Sequence, residues 1–266
     1  MKKQKVIYYK DELNDDFSKD LKVEPRKITG DYKYLFGKNV FKHFFGFILY
    51  RLIATPVVFV YMYLFRGLRV KNRKVLKKVK GGYFLYANHT QICADAFSPS
   101  IVTFPKRAEI LVHPDAVSIP VVRHIVPLMG AMPVPSDVAA TRNLLKAMKV
   151  MLKHKRVFIV YPEAHIWPYY NGIRNFKDAS FYYPIKFGVP AVGYTVTYRQ
   201  RKIFKNLPPC ITITVSDPVM PEEFTDKKAL RDRIYDFMVE TTIKEKSYEY
   251  IKYVKENSKD DDNGSV

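Results

Sequence analysis

The chain has 266 residues, and its 45 lysines and arginines outnumber 26 acidic residues to give a formal net charge of +19. That length suffices for one α/β domain with a sizeable core, and the surplus of positive charge implies a polyanionic partner, either nucleic acid or an anionic membrane. The two cysteines, Cys93 and Cys210, exclude a disulfide framework and favour a reducing location on the cytoplasmic side.

The chain divides by composition into four parts. Residues 1–37 are polar and of mixed charge and predict a surface lead-in, and residues 257–266 predict a disordered tail. Between them we expect a membrane-associated segment over residues 38–80 and an α/β domain over residues 81–256.

The predicted membrane segment is apolar from residue 44 to residue 65 and holds one charge, Arg51. It is long enough to cross a bilayer, but Pro56 should break or kink a helix there. Lys42 and the basic run at residues 66–80 lie at opposite ends, which argues against a simple span because positive charge would stand on both sides. We therefore predict a helical hairpin or a kinked pair of helices dipped into one leaflet, with a single transmembrane anchor as the alternative.

The basic run decides between the two kinds of polyanionic partner. It adjoins the most apolar segment of the chain, and the sequence contains no recognised nucleic-acid module, so we expect anionic membrane lipid and no nucleic acid. Each lysine or arginine near such a surface contributes about 1 kcal/mol. We expect the protein at the cytoplasmic face of a membrane. The cations of the run are Arg66, Arg69, Lys71, Arg73, Lys74, Lys77, Lys78 and Lys80, with no acid among them.

Residues 81–256 alternate between strand and helix patterns, which is typical of a mostly parallel sheet with helices on its faces. Helical patterns lie at 94–102, 118–129 and 137–154 and from Thr225 onwards, with Ser136 as the N-cap of the third. The predicted fold class is therefore α/β, with a mostly parallel central sheet flanked by helices. Short β-prone runs predict its strands at 83–87, 109–112, 157–161, 191–197 and 211–215.

A histidine and an aspartate, His89 and Asp95, follow the first of these strands. The end of a buried strand is a usual place for catalytic groups, and a histidine can take a proton from an alcohol when a carboxylate orients its ring. Asp95 is placed to be that carboxylate if the intervening residues form a loop that enters a helix. The alternative is a structural histidine at a helix cap. Cys93, between the two, is expected to be a small buried filler rather than a nucleophile.

Three further blocks follow in order, namely Tyr161-Pro-Glu163, Gly172-Ile-Arg-Asn-Phe-Lys177 and Gly188-Val-Pro-Ala-Val192. Together with the histidine block, this set resembles the lysophospholipid acyltransferase family, which includes glycerol-phosphate and acylglycerol-phosphate acyltransferases. In that family an Asn-His block with a downstream Asp precedes a Phe-Pro-Glu-Gly-Thr-Arg block and a Val-Pro-x-Val-Pro block. The resemblance covers roughly residues 80–200.

The resemblance implies a membrane-associated acyltransferase with a thioester donor, acyl-CoA or acyl carrier protein, and no cofactor. Its acceptor would be a hydroxyl of a glycerol-phosphate or lysophospholipid. His89 would be the base and Asp95 would orient it, without an acyl-enzyme intermediate. Asn88 would contact the substrate, and backbone N–H groups beside it or at the start of the following helix would stabilise the oxyanion. The six histidines of the chain are scattered without ligand spacing, so no metal is expected.

Glu163 belongs to the block that binds the acceptor in this family. The resemblance implies that its carboxylate accepts hydrogen bonds from acceptor hydroxyls or holds a neighbouring basic residue. A carboxylate that stabilises the start of a helix is the structural alternative.

The chain departs from the family pattern in three places. Five residues rather than four separate His89 from Asp95. Ala164-His165-Ile166 replaces the Gly-Thr-Arg of the family, and the element at residues 130–136 lacks the arginine expected there. Two phosphate-binding arginines are therefore missing from their usual places.

Other cations are expected to replace them if the acceptor carries a phosphate. Arg174 is the first candidate because its planar fork forms two parallel hydrogen bonds with a phosphate, and Lys177 and His165 are further candidates. The missing arginines also leave open acyl transfer to a non-phosphate alcohol or amine. A non-catalytic membrane-binding protein on the same fold is the remaining alternative.

Overall fold

The computed structural model describes residues 4–17, 24–35, 37, 39–92, 94–120 and 122–256. Cys93 and the predicted tail lie outside the described residues, so the expectations for them remain predictions. Within the described residues the strands are β1 Lys5–Tyr9, β2 Arg69–Lys71, β3 Tyr83–Ala87, β4 Ala108–Val112, β5 Ala131–Pro133, β6 Val157–Val160, β7 Ala191–Arg199, β8 Cys210–Val215 and β9 Ile251–Lys255.

The helices lie between the strands, as the alternating pattern predicts. Two of them, α4 and α6, are long and each buries one row of side chains, whereas α1 is mostly apolar along its length. The helices are α1 Val40–Phe65, α2 Ser98–Thr103, α3 Val122–Ile125, α4 Val138–Lys153, α5 Tyr182–Phe187 and α6 Lys227–Lys244.

Seven strands form the central sheet, in the order β2-β8-β7-β3-β6-β4-β5. Strands β7, β3, β6, β4 and β5 run parallel, whereas β8 pairs antiparallel with β7, and β2 follows the direction of β8. The predicted α/β class with a mostly parallel sheet is confirmed. Because parallel strands share a direction, the residues after β3 and β6 meet at one edge of the sheet, which we call the carboxyl edge.

Two apolar clusters cover the two faces of the sheet, because side chains alternate along each buried strand. Phe84 and Tyr86 of β3 belong to the cluster that α4 and α6 cover. Tyr83, Leu85 and Ala87 belong to the opposite cluster, which receives side chains from α1 and α2. The strand at the centre of the sheet is thus buried on both faces and holds the residues that follow it in place.

The domain boundaries predicted from composition need two corrections. Strand β2 lies inside the basic run and pairs with β8, so the α/β domain begins before residue 81. The lead-in at residues 1–37 is also part of the folded unit, since β1 pairs with β9 and Ile28 is buried in the core. Both pairings join segments that are distant in sequence, which composition cannot reveal.

The N-cap predicted for α4 is also wrong by one residue. The side chain of Asp137, not Ser136, accepts a hydrogen bond from the N–H of Ala140, at 2.7 Å. The hydroxyl of Ser136 instead accepts a hydrogen bond from the N–H of Ile28, at 3.0 Å. Ser136 therefore ties the N-terminal segment to the domain.

The predicted helical hairpin is wrong, because α1 is one helix from Val40 to Phe65. Pro56 does not end it, since the turn before the proline is π-helical. The N–H of Thr55 bonds to the carbonyl of Tyr50, five residues back, and the Thr55 hydroxyl donates to the same carbonyl at 2.6 Å. The wider turn accommodates the proline ring, which an α-helical turn would exclude.

Helix α1 packs along the domain by one narrow stripe of buried residues, namely Gly46, Tyr50, Val58 and Met62. The Tyr50 hydroxyl accepts a hydrogen bond from the N–H of Ala108, at 3.0 Å, which ties the helix to the start of β4. Most of its other side chains are apolar and exposed. By length and composition α1 could cross a membrane, and it is the candidate membrane-associated segment.

Candidate active site

Residue Asn88 directly follows β3 and fixes the backbone at the carboxyl edge. Its side chain is fully buried. The amide nitrogen donates to the carbonyl of Val196 at 3.0 Å, and the amide oxygen accepts from the N–H of the same residue at 2.8 Å. Both ends of the amide are therefore bonded to β7. The prediction that the Asn88 side chain contacts substrate is wrong; it holds the strand that carries His89.

His89 and Asp95 form the pair expected from the sequence. His89 Nδ1 lies 2.8 Å from Asp95 Oδ2. Asp95 also accepts hydrogen bonds from the backbone N–H and the side-chain amide of Gln91, at 2.9 and 3.1 Å. With Nδ1–H donated to the carboxylate, Nε2 is the nitrogen that carries a lone pair and can accept a proton.

The five-residue spacing does not separate the pair. The N–H of Asp95 bonds to the carbonyl of Gln91 at 3.3 Å, and a short 3₁₀ turn follows at Ala94–Ala96. This turn accommodates the additional residue and returns Asp95 toward His89. The Asp95 side chain is 3% exposed and that of His89 is 24% exposed, so solvent or substrate reaches the imidazole but not the carboxylate.

Tyr161 is a member of the site to which the sequence assigned no role. Its ring stacks on the His89 imidazole with centroids 4.5 Å apart, and its hydroxyl donates to the backbone carbonyl of Asp95 at 2.6 Å. Burial, aided by the Asp95 carboxylate, raises the pKa of Tyr161 well above its ordinary value, so the phenol stays protonated. The sequence did contain a signal for this role, because a tyrosine stands where the family block has phenylalanine.

Glu163 lies beneath the histidine rather than beside a substrate. Its side chain is fully buried. Oε2 accepts from the backbone N–H of His89 at 3.1 Å and from Arg174 Nη2 at 3.2 Å, while Oε1 accepts from the backbone N–H of Arg174 at 3.2 Å. Burial raises the pKa of Glu163, and the Arg174 guanidinium and the two N–H groups oppose that shift.

The prediction that Arg174 binds an acceptor phosphate is wrong in this structure. The residue is 0% exposed, and its guanidinium lies 4.9 Å from the centre of the Trp167 ring. Its nitrogens bond to the Glu163 carboxylate and to the carbonyls of His165 and Glu12. A buried carboxylate needs a paired cation, and Arg174 supplies it. Both Nη atoms of the guanidinium are thus engaged inside the domain, whereas Nε is buried without a hydrogen-bond partner.

An apolar cavity of about 780 Å³ opens beside this pair. His89, Asp95 and Tyr161 line one part of it, and the lining continues across β6 and β4 to Ala131 on β5. The three strand spacings from β3 to β5 amount to roughly 14 Å. Tyr50, Ala54 and Thr55 of α1 close one side. The cavity therefore joins the imidazole to the apolar helix, and its lining suits a hydrocarbon chain.

Residues 67–197 match the family model described as Acyltransferase. The matched residues run from just before β2 into β7 and include His89, Asp95 and Glu163. A similar solved structure is that of the 1-acyl-sn-glycerophosphate acyltransferase PlsC from Thermotoga maritima, with 18% identity and a TM-score of 0.57. The alignment covers 78% of this chain and 88% of that one, and the likeness shows the fold. A search of curated protein sequences finds no match.

Two of the expected substrate contacts lie away from the cavity. His165 Nδ1 is 3.4 Å from Asp16 Oδ2, so this histidine faces the N-terminal segment. Lys177 is exposed, and neither residue lines the cavity. The structure therefore does not bring the three expected phosphate ligands together. Within the described residues no group of three His, Cys, Asp or Glu side chains is arranged to hold a metal ion.

Proposed function

We propose that this acyltransferase moves a fatty acyl group from a thioester, acyl-CoA or acyl carrier protein, to a hydroxyl of a glycerol-phosphate or lysophospholipid acceptor. The observation that carries the proposal is the His89–Asp95 pair in the wall of the apolar cavity. The family match supports acyl transfer, and the order of the sequence blocks supports this class of acceptor.

His89 acts as the general base in the proposed reaction. Nε2 takes the proton of the acceptor hydroxyl while the hydroxyl oxygen attacks the carbonyl carbon of the thioester. The tetrahedral intermediate then expels the thiolate, which receives the proton from the imidazolium. Asp95 stabilises that imidazolium and fixes the tautomer in which Nδ1 carries the hydrogen. Tyr161, stacked on the ring, restricts its rotation.

The oxyanion needs hydrogen-bond donors near the carbonyl carbon. Of the two sources expected from the sequence, the turn beside Asn88 is largely occupied. The N–H of His89 donates to Glu163, and the N–H of Gln91 donates to Asp95. At the start of the helical segment that follows Asp95, the N–H groups of Phe97 and Ser100 also bond to carbonyls, and Pro99 has no N–H. Both sources of oxyanion donors therefore stay candidates.

Helix α1 supplies the proposed membrane attachment. Its outward side chains are large and apolar, for example Phe41 at 77% and Leu52 at 61% exposed. Because the helix packs along the domain through Tyr50 and Met62, a spanning orientation would draw the polar domain into the bilayer. An orientation in the plane of one leaflet avoids that cost, and it lets acyl chains pass from lipid to the cavity.

A second candidate acceptor is a hydroxyl or amine without a phosphate. The specific observation in its favour is that, among the described residues, no lysine or arginine lines the cavity, while Arg174 is buried. Both candidates use the same base and the same donor. They differ only in whether the acceptor carries a phosphate that the protein has to bind.

The test is an acceptor screen with labelled acyl-CoA and acyl carrier protein, using detergent-solubilised full-length protein. We expect His89→Ala to lower the rate of transfer by about 10²–10⁴-fold. His113→Ala is a matched control, because His113 also lines the cavity and its Nδ1 lies 2.8 Å from Asp115 Oδ2. Equal loss in both variants, or retained turnover in folded His89→Ala protein, would contradict the assignment of the base. Labelling of uncharged acceptors alone would select the second candidate.

A further inference from the structure

The loop between β7 and β8, residues 200–209, carries an exposed apolar surface that the proposed reaction does not use. We call it the hairpin tip. Ile203 is 73% exposed, Phe204 68% and Leu207 44%. Cations alternate with these side chains, at Lys202 and Lys205, and the sequence contains no acid between residues 199 and 216.

Two arginines hold the hairpin tip against the end of α1. Arg201 Nε donates to the carbonyl of Pro208 at 2.6 Å, and its Nη2 donates to the carbonyl of Phe65. Arg199 Nη2 donates to the carbonyl of Gly67 at 2.5 Å. The last residue of α1, Phe65, is itself 63% exposed. The apolar side chains of the tip and of the helix therefore form one continuous surface.

Phe204 adds an independent observation, because its backbone adopts a φ of +55°. Glycine and asparagine enter this left-handed region with less strain than a bulky residue does. A phenylalanine that is exposed to this extent gains little packing within the protein in return. Strained positions of this kind are concentrated at functional surfaces, and here the strained residue presents an aromatic ring outward.

The position of the tip relates it to the active site. Ala87, two residues before His89, pairs with Tyr194 of β7, and β7 continues five residues further to Arg199. At about 3.3 Å per residue the tip extends roughly 16 Å beyond this level. It therefore projects from the carboxyl edge, the edge at which the His89–Asp95 pair lies.

We propose that the hairpin tip enters the same bilayer leaflet as the outer face of α1 and so directs the carboxyl edge toward the lipid. The partner is a phospholipid surface: Ile203, Phe204 and Leu207 enter the acyl region, and Lys202 and Lys205 contact lipid phosphates. The exposed end of α1 beside the tip and the absence of acids between residues 199 and 216 favour lipid over a protein partner. The inference rests on the proposed membrane attachment by α1.

Depth-dependent fluorescence quenching tests this proposal. The chain has one tryptophan, Trp167, which is fully buried and gives a constant background. Single variants Phe204→Trp on the tip and Phe44→Trp on α1 are reconstituted with vesicles of phosphatidylglycerol and brominated phosphatidylcholine. Val138→Trp is the matched control, because Val138 is also 68% exposed but lies on α4, which covers the opposite face of the sheet.

We expect brominated lipid to quench the reporters at residues 204 and 44 and to leave the one at residue 138 unchanged. Quenching at residue 44 without quenching at residue 204 would overturn the role of the tip and leave the attachment by α1 intact. Quenching at neither position would remove the membrane attachment itself, and this inference with it.

The variant Phe204→Asn separates membrane contact from folding. Asparagine enters the left-handed region readily, so the melting temperature should stay the same or rise. Loss of the ring should raise the apparent KM for an acceptor presented in vesicles roughly tenfold. Turnover of a short-chain acceptor dissolved in water should not change, since the tip lies outside the site. A lower melting temperature, or an equal loss with both acceptors, would mean that Phe204 has a structural role instead.

Discussion

The substitution Glu163→Gln tests whether this carboxylate supports the site from below, as the structure indicates, or binds the acceptor. The side chain is fully buried and accepts three hydrogen bonds, from the N–H of His89 and from the N–H and Nη2 of Arg174. An amide keeps one acceptor oxygen, so at least one donor then faces the NH₂ group. The positive charge of Arg174 also loses its partner within the interior.

Removing one member of a buried ion pair costs about 3–5 kcal/mol. For a domain of this size each kcal/mol lowers the melting temperature by about 2–4 °C, so Glu163→Gln should melt roughly 6–20 °C lower. The double variant Glu163→Gln/Arg174→Met removes both charges and should recover a large part of that loss. Thermal unfolding followed by circular dichroism at a fixed scan rate provides the measurement.

An unchanged melting temperature together with a raised acceptor KM would refute this reasoning. It would support the other of the two roles that the family resemblance implies, in which the carboxylate contacts acceptor hydroxyls rather than a neighbouring basic residue. The loss of stability in the double variant can also be compared with the summed losses of Glu163→Gln and Arg174→Met. A double-variant loss as large as that sum would show that the two side chains do not act as a pair.

Four further substitutions address the chemistry and the cavity. His89→Ala should lower kcat by about 10²–10⁴-fold in a folded protein, and Asp95→Asn by less, since the imidazole remains; steady-state rates with equal circular dichroism spectra check both. Tyr161→Phe keeps the stacked ring but loses the hydrogen bond to the Asp95 carbonyl, which is worth about 1 kcal/mol, so kcat should fall by less than about tenfold. Ala131→Phe should fill the end of the cavity farthest from His89 and lower kcat/KM for long-chain donors while sparing short ones; equal effects on both would place the acyl chain elsewhere.

The central strands were predictable from sequence because burial on both faces leaves continuous apolar runs. The strands β3, β6 and β7 lie within two residues of their expected bounds. Strand β2 was not predictable, because three residues inside a basic run carry no periodicity, and its pairing with β8 spans more than a hundred residues. The expectation that Pro56 breaks the helix was wrong because it assumed an α-helical turn before the proline. The turn there is π-helical and accommodates the proline ring.

Within the site, the sequence predicted contacts between residues near one another in the chain. The His89–Asp95 pair is of this kind, and hydrogen bonds between Gln91 and Asp95 close the turn between them. The burial of Arg174, in contrast, could be seen only in the tertiary structure. A lone arginine is expected at the surface, and only the buried Glu163 carboxylate, with Trp167 beside it, makes the interior favourable.

The burial of Arg174 changes what the missing family arginines mean. The cation that most closely follows the altered block compensates a carboxylate that holds the backbone of His89, so its charge supports the base and is unavailable to a substrate. A phosphate-bearing acceptor would therefore keep its phosphate outside the cavity, where solvent and exposed cations bear its charge. An uncharged acceptor needs no such arrangement. The two proposed acceptors thus differ in the groups that they need at the mouth of the cavity, whereas the proposed base, donor and acyl site are the same for both.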